Sequence, residues 1–222
     1  MKIKIIAIAA LLIVLANTRH AVAQETDSKL YNYSIGVQPL YFLNGGMRID
    51  LEKRLNDRQI VQVGAIGYLL PERDDSGYWD SLLLDGYAGV NKLTGAGLAL
   101  DHKWFLFPRV SFMYLSAGVS YNYYNMKYNG TKHVSYMEDG LTFYETRYGE
   151  ITQVFNKIGG NACFGIQTPL RRPFYVDGYV GLGYSHSFYD ENKLYFNANM
   201  FNVGYRGITF VMGARVGYRF GR

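Results

Sequence analysis

Hydrophobic and polar residues alternate along most of the chain with a period of two, the signature of strands rather than helices. The last segment is the clearest. Ile208, Phe210, Met212, Ala214, Val216, Tyr218 and Phe220 occupy one face, and Thr209, Val211, Gly213, Arg215, Gly217 and Arg219 the other. Residues 174–188 set Phe174, Val176, Val180 and Leu182 against Tyr175, Asp177, Tyr179 and Ser185, and residues 110–124 set Met113, Leu115, Ala117, Val119 and Tyr121 against Tyr114, Ser116, Ser120 and Asn122. The same alternation places Met47, Ile49, Leu51 and Leu55 opposite Arg48, Asp50, Glu52 and Arg54, and Val61, Val63, Ala65 and Leu69 opposite Gln62, Gly64 and Tyr68. Segments 33–42, 95–106 and 150–168 repeat it less cleanly.

Eight strands are thus predicted. Most run about 10–16 residues, against five or six for a common soluble strand; a tilted strand needs roughly 9–11 to cross a bilayer. Tight connections fall near Asn56-Asp57, Pro108-Arg109 and Arg171-Arg172-Pro173, and long ones at 71–92, 126–149 and 189–204. The first hairpin, at Asn44-Gly45-Gly46, is short although it falls on the long-loop side. Short turns at one end and long loops at the other are the layout of outer-membrane barrels.

Alternation alone leaves the direction of the apolar face open, because a soluble carrier barrel of lipocalin type has the same period with its apolar face inward. Three features predict apolar-out. The polar face is rich in Gly, Ser and Tyr, as a crowded lumen requires. Its charges are of both signs, so Arg48, Arg54, Lys103, Lys157, Arg215 and Arg219 can pair with Asp50, Glu52, Asp101 and Asp177 inside the barrel; buried charges persist only when paired. Aromatics cluster at strand ends, with Trp104, Phe105, Phe107, Phe174, Tyr218 and Phe220 at one end and Tyr121, Tyr123, Tyr124 and Phe188 at the other, as at two lipid–water interfaces. Lipid offers backbone groups no hydrogen bonds, so the sheet must close. Eight strands leave a lumen that side chains fill, and no wide channel is expected.

Composition agrees. In 222 residues there are 21 Tyr, 13 Phe and 25 Gly, and mean hydropathy is -0.10, which excludes a bundle of membrane helices. One cysteine, Cys163, excludes an internal disulfide. Residues 1–23 read as a cleaved signal peptide: Lys2 and Lys4, an apolar run from Ile5 to Ala16, then Ala21-Val22-Ala23. Residues 24–30 form a polar lead-in and 31–222 the barrel. The formal charge is +5, of which Lys2, Lys4 and Arg19 lie in the leader. The remainder gives no electrostatic reason to expect nucleic acid.

With the leader, the eight alternating segments and the terminal strand Gly207 to Phe220, the chain resembles the small bacterial outer-membrane β-barrel proteins of the OmpA/OmpX-like group over roughly residues 31–222. The resemblance implies a closed, antiparallel, up-and-down transmembrane barrel, with outer-membrane lipid and the outer-membrane assembly machinery, reading the last strand, as partners. Here Gly221-Arg222 follows the terminal aromatic. Members serve in adhesion, defence or envelope stability, and some barrels of this size modify lipids.

Chemistry-bearing residues are few. Tyr184-Ser185-His186-Ser187, with Asp190 and Glu191, suggests a hydrolase set, but alternate strand residues point to opposite faces, so His186 and Ser187 do not readily cooperate. A rim histidine among aromatics is the simpler reading. His102, His133 and His186 lack zinc spacing, and the acidic run from Glu72 to Asp85 lacks a calcium-loop pattern; no metal and no cofactor are expected. The outer loops carry Tyr128, Tyr136, Phe143 and Tyr144, then Tyr195, Phe196 and Phe201, as candidates for binding an extracellular ligand. Packing of these aromatics on each other over the barrel mouth is equally compatible. Asp139-Gly140 predicts that 126–149 projects as a hairpin. The function expected is non-enzymatic display of surface loops; a lipid-modifying enzyme and a small diffusion pore are the alternatives.

Overall fold

The structure, a computed structural model, describes residues 31–70, 90–106, 112–170, 173–189 and 203–221. Residues 1–30, which hold the expected leader and lead-in, lie outside that set, as do 71–89 and 190–202. Eight antiparallel strands close into one barrel: β1 Tyr33–Val37, β2 Gly46–Asn56, β3 Gln59–Leu70, β4 Val90–Phe105, β5 Met113–Glu138, β6 Leu141–Pro169, β7 Phe174–Phe188 and β8 Gly207–Phe220. Each strand pairs with its sequence neighbours, and β1 closes the ring on β8 from Tyr33↔Phe220 to Val37↔Val216. This is the architecture the resemblance implies.

The direction of the faces is the predicted one. Val119, Leu98, Leu182, Phe210 and Met212 stand on the outside, each more than half exposed, while Asp50, Glu52, Lys103, Asp177 and Arg215 are buried within. Aromatic pairs mark the tight-turn end of the outer face: Tyr33 stacks on Phe220 at 6.0 Å and Phe174 meets Tyr218 at 5.4 Å. Among the described residues two assignments to the belts change, and Phe107 lies outside those residues. Phe105 and Tyr124 have inward parity and are buried in the lumen; their immediate neighbours Trp104 and Tyr123 face out.

β1 is shorter than the predicted 33–42. Pro39 has no N–H for the ladder, and a 3-10 turn, Pro39–Asn44, replaces the strand and ends at Gly45 in the left-handed conformation (φ 63). This turn carries Tyr41 to the inner side, 5.9 Å from the Arg48 guanidinium. At the other extreme, β5 and β6 span 26 and 29 residues. The pairing of β5 with β4 ends at Tyr128 and that of β6 with β7 at Asn156, so among the described residues Asn129–Glu138 pairs only with Leu141–Glu150, as a two-stranded ribbon beyond the ring. Ten residues at about 3.3 Å each give it a length of roughly 33 Å along its own strands. Asp139 (φ 51) and Gly140 (φ 79) make the turn, the two positive φ values that a type I′ hairpin needs.

The high Tyr and Gly content has a packing cause. Inner-face glycines form hollows into which large side chains of the lumen lie flat: a Cβ on Gly165 would enter the Tyr114 ring, one on Gly213 the Tyr179 ring, one on Gly217 the Tyr175 ring and one on Gly36 the Arg215 stem. Gly213→Val is therefore expected to cost about 1–3 kcal/mol by overpacking, seen as a lower urea midpoint of the detergent-folded barrel. Adding Tyr179→Ala should recover part of that loss. Gly178, where an added Cβ meets nothing within 4 Å, should accept valine within about 0.5 kcal/mol; equal losses at Gly178 and Gly213 would contradict the packing account.

Candidate functional site

The lumen is built in three layers. The lowest, toward the tight turns, is ionic and rests on a small apolar cluster of Ile60, Phe105 and the Tyr114 ring. Parity on β2 sends Arg48, Asp50 and Glu52 inward, and the register brings Asp101 and Lys103 of β4, Asp177 of β7 and Arg215 of β8 to the same level. Lys103 Nζ donates to Glu52 Oε1 and Asp177 Oδ2, both at 2.6 Å. Arg48 donates from Nε to Asp50 Oδ1 and from Nη2 to Asp101 Oδ2, both at 2.7 Å. Arg215 Nη1 donates to Glu52 and to Asp177, while its Nε lies 3.0 Å from Asp50 Oδ2.

Neutral groups complete the shells. Gln38 and Gln62 donate to Asp50, Tyr114 to Asp177, and Ser34 and Tyr175 to Glu52. Charges in a low-dielectric space are tolerable only with this degree of satisfaction. Four carboxylates face three cations here, and Lys157, higher in the lumen, supplies a fourth positive charge.

Three of the ten residues predicted as ion-pair members stand apart from the network. Lys157 Nζ donates at 3.1 Å to the carbonyl of Val203, a backbone partner that parity cannot foresee. Arg219 sits at the tight-turn end with its guanidinium 5.1 Å from the Tyr175 ring. Arg54, beside it and half-buried, lies in the field of Asp57 and Glu52.

Above the ionic layer is a cavity of about 360 Å³, walled by Ser116, Ser120, Asn122, Asn161 and Cys163, with Lys157 at its edge. At about 30 Å³ per molecule it has room for roughly a dozen waters. The third layer is apolar. Tyr68, Leu93, Tyr124, Met126, Phe155 and Val203 pack together, Tyr68 and Tyr124 with ring centres 4.8 Å apart and Tyr124 and Phe155 with ring centres 5.1 Å apart. Residues 203–206 turn into the lumen to join it, held by Ser185 and Ser187 donating to the Tyr205 carbonyl and by Arg206 Nε donating to the Ser187 carbonyl at 2.6 Å. The inner face is thus apolar at the loop end, where polar lining was expected throughout. Tyr128, predicted as a surface-loop binding residue, belongs to this layer and is buried.

The projecting ribbon holds the other candidates. Tyr136 and Phe143 are paired across it and stack at 5.5 Å. Tyr144 and Tyr148 are 82% and 76% exposed, and Met137 and Leu141 are exposed at the tip. Arg147 bonds to Glu145 and holds that carboxyl below the ordinary glutamate value. Tyr195, Phe196 and Phe201 lie outside the described residues, as do Asp190 and Glu191. Of the predicted loop aromatics, Tyr128 packs over the lumen, whereas Tyr136, Phe143 and Tyr144 lie on the projecting ribbon.

His186 pairs with Ile158 on the outer face, against Phe188 at 4.8 Å. Ser185 and Ser187 point into the lumen and are buried. The sheet therefore separates the imidazole from both hydroxyls. Among the described residues no three His, Cys, Asp or Glu side chains gather as metal ligands.

No family model and no curated protein matches the chain. Among solved structures it is similar to CarO2 of Acinetobacter baumannii, with 16% identity and a TM-score of 0.40 over 86% of this chain and 98% of that one. CarO of the same organism gives 13% identity and a TM-score of 0.42 over 89% and 100% of the two chains. The N-terminal β-barrel domain of Pseudomonas aeruginosa OprF gives 12% and 0.36 over 86% and 98%. Closure of the present ring follows from its own pairing of β1 with β8.

Proposed function

We propose that this chain is a non-enzymatic outer-membrane protein: a sealed barrel that anchors the β5–β6 ribbon at the cell surface, where its aromatic residues bind an extracellular partner. The carrying observation is the inversion of an ordinary soluble fold. Apolar side chains cover the outside of a closed ring while the charges are paired within it, an arrangement stable where the solvent is lipid. The ionic layer and the apolar layer lie in series across the lumen, which supports an anchor over a diffusion pore. A ribbon roughly 33 Å long that leaves the ring with exposed Tyr, Met and Leu near its tip supports a display role.

Cells expressing the chain should yield it in the outer-membrane fraction, with folded and boiled forms migrating differently on gels. Protease added outside intact cells should cut within 129–150 and spare β1–β4, β7 and β8 of the ring. Recovery in the soluble fraction would overturn the anchor, and resistance of the ribbon to external protease would overturn display.

A further inference from the structure

The tight-turn mouth of the lumen holds positive charge that the inner face does not balance. The ionic layer sets three cations against four carboxylates, and Lys157 makes that count even. Arg54 and Arg219 remain, both on inward parity and both half-buried. Ser34 of β1 pairs with Glu52 on one side and with Arg219 on the other. Arg54 is the next inward residue of β2 after Glu52, toward the turn. The two arginines thus flank β1 on strands roughly 10 Å apart, and the charge of Arg54 is felt at Arg219.

Glu52 shares that row but is taken. It accepts from Ser34, Lys103, Gln167, Tyr175 and Arg215, which fills the roughly four lone-pair sites of a carboxylate. Glu52 and Asp57 act on Arg54 through their field, and among the described residues no carboxylate hydrogen-bonds or ion-pairs with either guanidinium. Tyr175 covers one face of the Arg219 guanidinium and leaves the N–H donors around its edge. Two half-buried guanidinium groups without an acceptor repel one another, and one oxyanion set between them removes that cost. The planar fork of arginine matches a carboxylate in two parallel bonds. Both side chains face the lumen, so the sheet separates them from the acyl-facing band and its headgroups. Peptide enters at this mouth: the Asn32 backbone is bonded to Gly221 and Arg54, and residues 24–30, which lead into β1, include Glu25 and Asp27.

We propose that Arg54 and Arg219 form a site for a peptide carboxylate, an acidic side chain or a C-terminus, at the tight-turn mouth of the barrel. This rests on the outer-membrane reading above, which turns that mouth toward the periplasm. Two sources share the chemistry: a separate acidic peptide and the acids of residues 24–30 of this chain. The test uses the full chain folded in detergent and titration calorimetry. The probes are triglutamate, triglutamine as its neutral match, and inorganic phosphate as competitor.

Triglutamate should bind about tenfold more tightly than triglutamine. A preference in the unaltered protein assigns the site to a separate peptide. A preference that emerges only with Glu25→Gln and Asp27→Asn assigns it to the acids of this chain. In whichever background shows it, Arg54→Gln with Arg219→Gln should abolish the preference. Arg54→Lys with Arg219→Lys keeps the charge without the fork and should retain a preference of about threefold, which shows that the glutamine pair lost a charge and not a fold. Equal binding of the two peptides in both backgrounds overturns the site, as does an unchanged preference in the glutamine pair. Release of triglutamate by equimolar inorganic phosphate overturns the peptide assignment. Failure of the chain to give a heat-modifiable form would sink the outer-membrane reading and this site with it. A heat-modifiable barrel without peptide preference sinks the site alone.

Discussion

Arg215→Met should lower the stability of the folded barrel by about 3–5 kcal/mol, the cost of leaving buried charge without its partner. Arg215 is 2% exposed and lies against three carboxylates, Asp50, Glu52 and Asp177. Methionine fills similar space over Gly36 but leaves those carboxylates with Lys103 and Arg48 alone. The ionic layer then holds four negative charges against two positive, in a place where water screens little. Arg219→Met provides the contrast. Its guanidinium stacks on Tyr175 at the tight-turn end, and a cation–π contact of that kind contributes about 0.5–2 kcal/mol. Urea unfolding of the two variants in the same detergent separates the cases. Similar midpoints would show that the network around Arg215 is not the keystone of the lumen.

That network also shows where sequence reading succeeds and where it stops. Parity assigns Arg215, Asp177, Lys103 and Glu52 to the lumen without any structure, because a strand has only two faces. It does not assign partners. Arg215 meets Asp50 only because β8 closes on β1 and the register of the ring sets both at one height. Lys157 shows the complementary failure: its parity is right, but its partner is the Val203 carbonyl, on a segment whose path no alternation describes.

The apolar roof was legible in principle. Tyr124, Met126 and Tyr128 continue the parity of Tyr114 and Asn122, so counting in twos past residue 122 places all three inside. Reading aromatics near a strand end as belt residues conceals this, because Tyr123 and Tyr124 put an aromatic ring on each face of β5. The ribbon, by contrast, was announced by Asp139-Gly140, whose chemistry suits two successive positive φ values. Pro39 likewise carried a readable signal, the loss of a ladder donor, that shortens β1.

Val119→Arg is the sharpest test of which solvent the outside meets. Val119 is 58% exposed, near the middle of the outward run Leu115, Ala117, Val119, Tyr121 and Tyr123 on β5. On a water-facing sheet, exchanging an exposed valine for arginine changes stability by no more than about 0.5 kcal/mol. At the bilayer midplane the same change costs about 2–4 kcal/mol, because the guanidinium must either leave water or drag water and headgroups inward. The cost should shrink toward zero for Asn125→Arg, three outward steps higher on the same strand and near the headgroups. The two variants share a strand, a face and the introduced group, so depth in the bilayer is the variable that separates them. Unfolding from phospholipid vesicles should therefore show a large loss at residue 119 and a small one at residue 125. Folding in a thin detergent shell, where the guanidinium finds water nearby, should narrow the gap. A loss of the same size at both positions would mean that the apolar outer face is covered by something other than a membrane.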